Sequence, residues 1–301
     1  MTLSFLPPAR GFLGLPPSAA FSASQAKSVL IPFGLEQSVS YEGGTAQGPQ
    51  AIIDCSPQLE LFDDELWREP HEAFKPMTAK PVKISASLPK ALDQLEALVD
   101  DVLEAGKFPM IMGGEHSLTA GSIRPFAKRH QKLTIMHFDA HADLRDGYEG
   151  ETYSHAAALR RCLDFPHVRL VSVGIRNISK SEIPFLEKNK KRITVFWARE
   201  KAEWTVAKIM KAIGSGPVYV TFDIDAFDSS LIPATGTPEP GGLFWDETMD
   251  ILRATFTQKN VVGADVVELS PRPGLHACNF LAAKLVFKML AYQFCLSRHA
   301  S

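Results

Sequence analysis

Residues 133–143 read Leu-Thr-Ile-Met-His-Phe-Asp-Ala-His-Ala-Asp. The run over 133–138 is short and mostly apolar, with little alternation, as expected of a strand buried on both faces. It passes directly into Asp139, His141 and Asp143. A spacing of i, i+2 and i+4 on an extended backbone projects all three side chains to one side. Two carboxylates and an imidazole at the carboxyl end of a buried strand are costly without a partner, and a bound cation would neutralise them.

Similar runs, rich in Val, Ile and Phe, recur at 29–33, 109–112, 168–174, 193–196, 218–224 and 261–269. Amphipathic segments lie between them. Over 90–105 the apolar positions Ala91, Leu92, Leu95, Leu98, Val99, Val102 and Leu103 are spaced three and four apart, and Gly106 is a natural stop. Helical patterns also cover 118–130, 155–163, 181–189, 201–213, 246–257 and 278–296. Strand alternating with helix predicts a parallel sheet with helices on both faces. No repeat, low-complexity tract or Gly/Ser linker divides the chain, so residues 28–301 read as one domain. Residues 1–27 are rich in Ala, Ser and Pro. Pro7, Pro8, Pro16 and Pro17 break any apolar core of a secretory signal, and the segment reads as an extended arm on the surface or on a neighbouring subunit.

The chain has 301 residues, 45% hydrophobic and 22% charged, the balance of a globular protein with a sizeable core. Thirty-four acidic against 32 basic side chains give a net charge of −2, which argues against a nucleic-acid partner. No apolar run approaches the roughly 20 residues that span a bilayer, so no membrane role is expected. Cys55, Cys162, Cys278 and Cys295 are scattered with no Cys-x-x-Cys, which fits reduced thiols in a cytoplasmic protein.

Two further strand ends carry chemistry. The stretch Val218-Tyr219-Val220-Thr221-Phe222-Asp223-Ile224-Asp225 ends in two carboxylates on one face. In Met110-Ile111-Met112-Gly113-Gly114-Glu115-His116-Ser117, two glycines leave a strand and deliver His116 just before a helix. Glu115 reads equally well as a solvated first-turn carboxylate and is assigned no chemistry. Together the three strand ends supply two His and four Asp. An oxygen-rich set with a minority of imidazole suits Mn²⁺ better than zinc. Six ligands are too many for one ordinary site but suit two metals sharing carboxylates, and such a pair lowers the pKa of bound water. His155 sits 12 residues beyond Asp143 at a loop-to-helix junction, where a surface histidine is the plain alternative. Glu268 ends the last apolar run. A carboxylate there is rarely buried unless paired, so it needs a cation, either an internal Arg or a substrate.

The motifs Gly113–Ser117, Phe138–Asp143, Thr221–Asp225 and Gly236–Gly242 together resemble the ureohydrolases, the family of arginase, agmatinase and related guanidino hydrolases. Asp143-Leu144-Arg145-Asp146, Tyr153-Ser154-His155-Ala156 and the stretch 40–49 look most like agmatinase. The resemblance implies an α/β/α sandwich around an eight-stranded, mainly parallel sheet, with two Mn²⁺ per subunit and a trimeric or hexameric homo-oligomer. It assigns His116, Asp139, Asp143 and Asp223 to one metal and Asp139, His141, Asp223 and Asp225 to the other. It also makes His155, able to titrate near pH 7, the proton shuttle, and Glu268 the carboxylate that receives the guanidinium. Ser229 and Ala234 depart from the family's usual Pro and Gly, and residues 272–276 lack the tyrosine of many agmatinases. The implied reaction converts a small cationic guanidino substrate, foremost agmatine, to urea and a primary amine. The alternatives are 4-guanidinobutyrate, aminopropylagmatine, formiminoglutamate or arginine as substrate, a zinc deacetylase-like amidohydrolase, and a non-catalytic homologue. Arg145 is expected to pair with Asp146 or another surface acid, away from the substrate.

Overall fold

Residues 3–299 are described by the computed structural model, and their strands form one sheet. In chain order these are β1 (Ser28–Phe33), β2 (Pro76–Thr78), β3 (Phe108–Gly113), β4 (Leu133–Phe138), β5 (Val168–Ile175), β6 (Ile193–Trp197), β7 (Val218–Asp223) and β8 (Val261–Val267). Their spatial order is β2-β1-β3-β8-β7-β4-β5-β6, and every pairing is parallel. All residues of β1, β3, β4 and β7 are buried, which is why those strands read as unbroken apolar runs.

Alternate residues of each strand feed two separate cores. Met110, Met112, Met136 and Phe138 pack with the helices Val206–Ile213, Trp245–Gln258 and His276–Cys295 on one face. Ile111, Leu133 and Ile135 pack with Leu88–Glu104, Arg124–Arg129 and Ala158–Cys162 on the other. The result is the three-layer α/β/α sandwich with an eight-stranded parallel sheet.

Three local expectations need correction. The sequence pattern misses β2, a three-residue edge strand that opens on Pro76 and is too short to show a period. The pattern over 118–130 is divided into Thr119–Ser122 and Arg124–Arg129, because Pro125 has no N–H to continue the ladder. The helix expected over 201–213 begins at Val206. Thr205 caps it, accepting from the Lys208 N–H at 3.2 Å, and Ala198–Glu203 is a 3₁₀ segment instead.

The segment before β1 folds against its own chain. Phe12, Leu13 and Leu15 are buried, the Phe12 N–H donates to Thr78 Oγ1 at 2.9 Å, and the Leu13 N–H donates to Ser56 Oγ at 2.8 Å. Among the described residues no helix is long and apolar enough to cross a membrane.

Candidate metal centre

The six candidate ligands and Glu268 stand at or just beyond the carboxyl ends of the four adjacent strands β3, β8, β7 and β4, while His155 opens a separate 3₁₀ segment, His155–Ala157. Crevices outside the carboxyl ends of strands are where open α/β sheets place their sites. Phe138 and Phe222 are register partners, and their rings stack at 4.9 Å. Such a pair contributes about 0.5–1.5 kcal/mol beyond burial and fixes the next residues, Asp139 and Asp223, side by side.

Alternation alone does not deliver every side chain. His141 continues the ladder through a bridge to Asn177, but Asp143 turns into the left-handed region at φ 52°. Asp225 likewise sits in a 3₁₀ turn, Ile224–Ala226, capped by Asp223, whose Oδ1 accepts from the Asp225 N–H at 2.9 Å. Glu268 also has positive φ, 66°. Left-handed backbone costs a non-glycine residue about 1–2 kcal/mol. Glu268 is held there by two hydrogen bonds. Its N–H donates to Gly114 O at 2.8 Å and its Oε1 accepts from the His116 N–H at 2.6 Å. Gly114 cannot be replaced cheaply, since a Cβ would lie 2.1 Å from Leu35 O.

The six candidate ligands come together. His116 Nδ1 lies 3.1 Å from Asp139 Oδ2, 3.3 Å from Asp143 Oδ2 and 3.2 Å from Asp223 Oδ2. His141 Nδ1 lies 3.0 Å from Asp225 Oδ2 and 3.6 Å from Asp139 Oδ1. Thr221 Oγ1 donates to Asp265 Oδ1 at 2.6 Å, so it accepts from His116 Nε2, 2.9 Å away. The Nε2–H tautomer leaves Nδ1 as a lone pair, buried, facing three carboxylates and without a hydrogen-bond partner. A lone pair and three anions need a cation between them, so the donors present fit divalent metal.

The electrostatics agree. Burial works to raise the Asp139 pKa, but the imidazoles of His137, His116 and His141 hold it well below the usual carboxylate range. Burial and the Asp139 charge push Asp143 up to about 6. Burial, Asp225 and Asp139 push Asp223 well above its ordinary value. Four carboxylates this close cannot all ionise unless positive charge joins them.

Two buried groups went unassigned in the sequence. His137 Nε2 lies 2.7 Å from Asp139 Oδ2, and its Nδ1 lies 2.9 Å from Ser172 Oγ, so it orients the Asp139 carboxylate. The signal was present, because His137 is two residues before Asp139 on the same face of a buried strand. Glu115 is fully buried, not a solvated first-turn residue. It accepts from the N–H groups of Gln37 and Ser38 and from the hydroxyls of Ser38 and Ser117.

His155 and Glu268 line the pocket above the cluster, with Ser40, Arg145, Tyr148 and Glu182. His155 Nε2 lies 2.9 Å from Ser40 Oγ. Burial lowers its pKa from 6.5 to about 4, and the positive charge of Arg145 adds to the lowering. It is therefore neutral at pH 7 and does not titrate there, contrary to expectation. Burial, with the negative charges of Glu115 and Asp225, drives the Glu268 pKa well above the usual range, against the His116 N–H bond. Among the described residues no Lys or Arg ion-pairs with Glu268, which leaves a pocket cation as its partner. Arg145 departs from expectation too. Asp146 pairs with Arg161 at 2.8 Å and Arg160 at 3.1 Å, while the Arg145 guanidinium lies over the Tyr148 ring at 5.0 Å and lines the pocket.

A buried cluster whose donors fit divalent cations thus lies beside the Glu268 carboxylate, which has no Lys or Arg partner among the described residues. The chain belongs to the arginase family, whose profile matches residues 26–291. It is thus a guanidino hydrolase of a family with binuclear metal centres. It is 35% identical over 285 residues to an N(1)-aminopropylagmatine ureohydrolase from Synechocystis sp., covering 91% of each chain. It is also 35% identical over 251 residues to an agmatinase from Bacillus subtilis, covering 82% of this chain and 84% of the relative. The crystal structure of agmatine ureohydrolase of Thermoplasma volcanium superposes with a TM-score of 0.82 at 27% identity, over 92% of this chain and 93% of that one.

Proposed function

We propose that the chain hydrolyses agmatine to putrescine and urea, with two Mn²⁺ per subunit held by His116, Asp139, Asp143, Asp223, His141 and Asp225. Asp139 and Asp223 would bridge the pair. The oxygen-rich donor set supports manganese over zinc. When bound, the pair supplies a water of lowered pKa and hence a nucleophile at neutral pH.

The other steps belong to side chains. Glu268 accepts the guanidinium N–H groups through charge-assisted hydrogen bonds and so orients the planar cation over the cluster. His155, neutral at pH 7, takes up a proton at one nitrogen as the tetrahedral centre forms and passes one to the departing amine.

The observation that carries the substrate reading is charge. The four aspartates balance two divalent cations, and Glu42 is paired with Arg272 at 2.6 Å. Glu182 and Glu268 then face a single Arg145, so the pocket is net negative and favours a substrate with positive charge. Names of relatives support the same class, an aminopropylagmatine ureohydrolase and an agmatinase. One observation favours a second reading: Arg145, free of any carboxylate among the described residues, suits a guanidino acid such as 4-guanidinobutyrate.

The test is urea and putrescine release from agmatine by the Mn²⁺-loaded protein. Loss of both products on chelation and their return with Mn²⁺ support the reading, and chelator-insensitive release contradicts it. We also propose a cytoplasmic homo-oligomer, trimer or hexamer. The four free thiols support the compartment, and a monomer in sedimentation would contradict the assembly.

A further inference from the structure

Glu115 is a fully buried acid beside His116 that neither the cluster nor the guanidinium contact uses. It accepts four hydrogen bonds and ion-pairs with no Lys or Arg among the described residues. Its Oε2 holds the loop through the N–H groups of Gln37 at 2.7 Å and Ser38 at 2.6 Å. Its Oε1 takes the Ser38 hydroxyl at 3.1 Å.

Ser38 Oγ also touches His155 twice. It accepts from the His155 backbone N–H at 2.9 Å and lies 3.2 Å from Nδ1. A serine hydroxyl has one proton and two lone pairs. The proton is engaged by Glu115 and one lone pair by the backbone N–H. The remaining lone pair can only accept, so Nδ1 must carry the hydrogen. That leaves Nε2 bare, accepting from the Ser40 hydroxyl at 2.9 Å.

We propose that Glu115 is a positioning residue for the hydrolysis, acting through Ser38 to fix His155 as the Nδ1–H tautomer with its Nε2 lone pair turned to Ser40 and the pocket. The inference rests on the reading of His155 as the proton carrier. The proton balance is simple. Nε2 takes one proton from the attacking water and returns one to the leaving nitrogen, while the other hydrogen stays on Nδ1, donated to Ser38 Oγ, throughout. A carboxylate that holds an imidazole in its useful tautomer through hydrogen bonding is the logic of catalytic triads, here with a serine interposed.

Glu115→Gln makes a pointed test. Its carbonyl oxygen can keep the two loop N–H groups, but its NH₂ then faces Ser38 and donates. The Ser38 proton turns to His155 Nδ1, and the tautomer reverses. Ser38→Ala is the second variant, which leaves both backbone anchors on Glu115 and does not depend on Glu115→Gln folding. Nitrogen-15 solid-state NMR of histidine-labelled, Mg²⁺-loaded full-length protein reads the tautomer, with His155→Ala assigning the signal. Wild type should show Nδ1–H and Glu115→Gln should show Nε2–H. Ser38→Ala should lower kcat by about tenfold, with KM within about twofold and metal content unchanged, and Ser38→Thr should restore it. An Nε2–H wild type, or an unchanged kcat in Ser38→Ala, overturns the inference. If instead His155→Ala keeps full kcat while wild type shows Nδ1–H, the reading of His155 as proton carrier fails and the tautomer assignment stands.

Discussion

The backbone N–H of His116 donates to Oε1 of Glu268 at 2.6 Å, so the imidazole aimed at the aspartate cluster and the carboxylate aimed into the pocket share one joint. Because Glu268 N–H also donates to Gly114 O, the ends of β3 and β8 are clamped together at this point. The spacing between the aspartate cluster and the Glu268 carboxylate is therefore fixed by this pair of hydrogen bonds.

Glu268→Gln keeps an oxygen for the His116 N–H but replaces the other carboxylate oxygen with an NH₂ donor and removes the charge. Losing charge-assisted bonds worth about 1.5–3 kcal/mol should lower kcat/KM by roughly 10- to 100-fold. Metal content, measured by plasma emission, should match wild type. Unchanged kinetics would show that the guanidinium goes elsewhere.

Asp139→Asn or Asp223→Asn should nearly abolish turnover and lower bound Mn²⁺, since each removes an anionic ligand that both metals would share. Two tightly bound metals and near-full activity in either variant would contradict the ligand assignment.

His155→Ala should lower kcat by about 10²-fold with metal content near wild type, as loss of a proton carrier implies. Metal loss instead would make His155 a ligand and the division of roles wrong.

His155 also makes a pH prediction. Between 6.5 and about 4 the unfolded chain binds a proton at this imidazole that the folded chain refuses. Its contribution to stability is complete above 6.5 and is lost as pH falls through that window. Denaturant midpoints of the metal-saturated wild type, measured against His155→Ala, should therefore drop on acidification from pH 7 to 4. A constant difference across that range would mean that His155 titrates normally.

Much of the site was legible because buried parallel strands write themselves as apolar runs, and their ends mark where a sheet places polar groups. Leu133–Phe138 was read to the residue, and the six clustered ligands follow from three strand ends. What failed was whatever depends on tertiary partners. Asp143 and Asp225 arrive by turns, not by alternation, and no local pattern encodes the left-handed φ of Asp143. Glu115 looks like a helix-start acid until the loop at 36–40 folds over it. Arg145 loses its expected partner because Arg160 and Arg161, one turn into the next helix, take Asp146 first.

The central claim is that a net-negative pocket over the metal cluster selects a decarboxylated guanidine, and substrate ranking tests it most directly. A buried site pays heavily for an uncompensated charged group, so discrimination should be large. Measured by urea release from the Mn²⁺-loaded protein, kcat/KM should rank agmatine well above both arginine and 4-guanidinobutyrate. A clear preference for 4-guanidinobutyrate that collapses in Arg145→Met would contradict that claim and assign Arg145 to the substrate carboxylate.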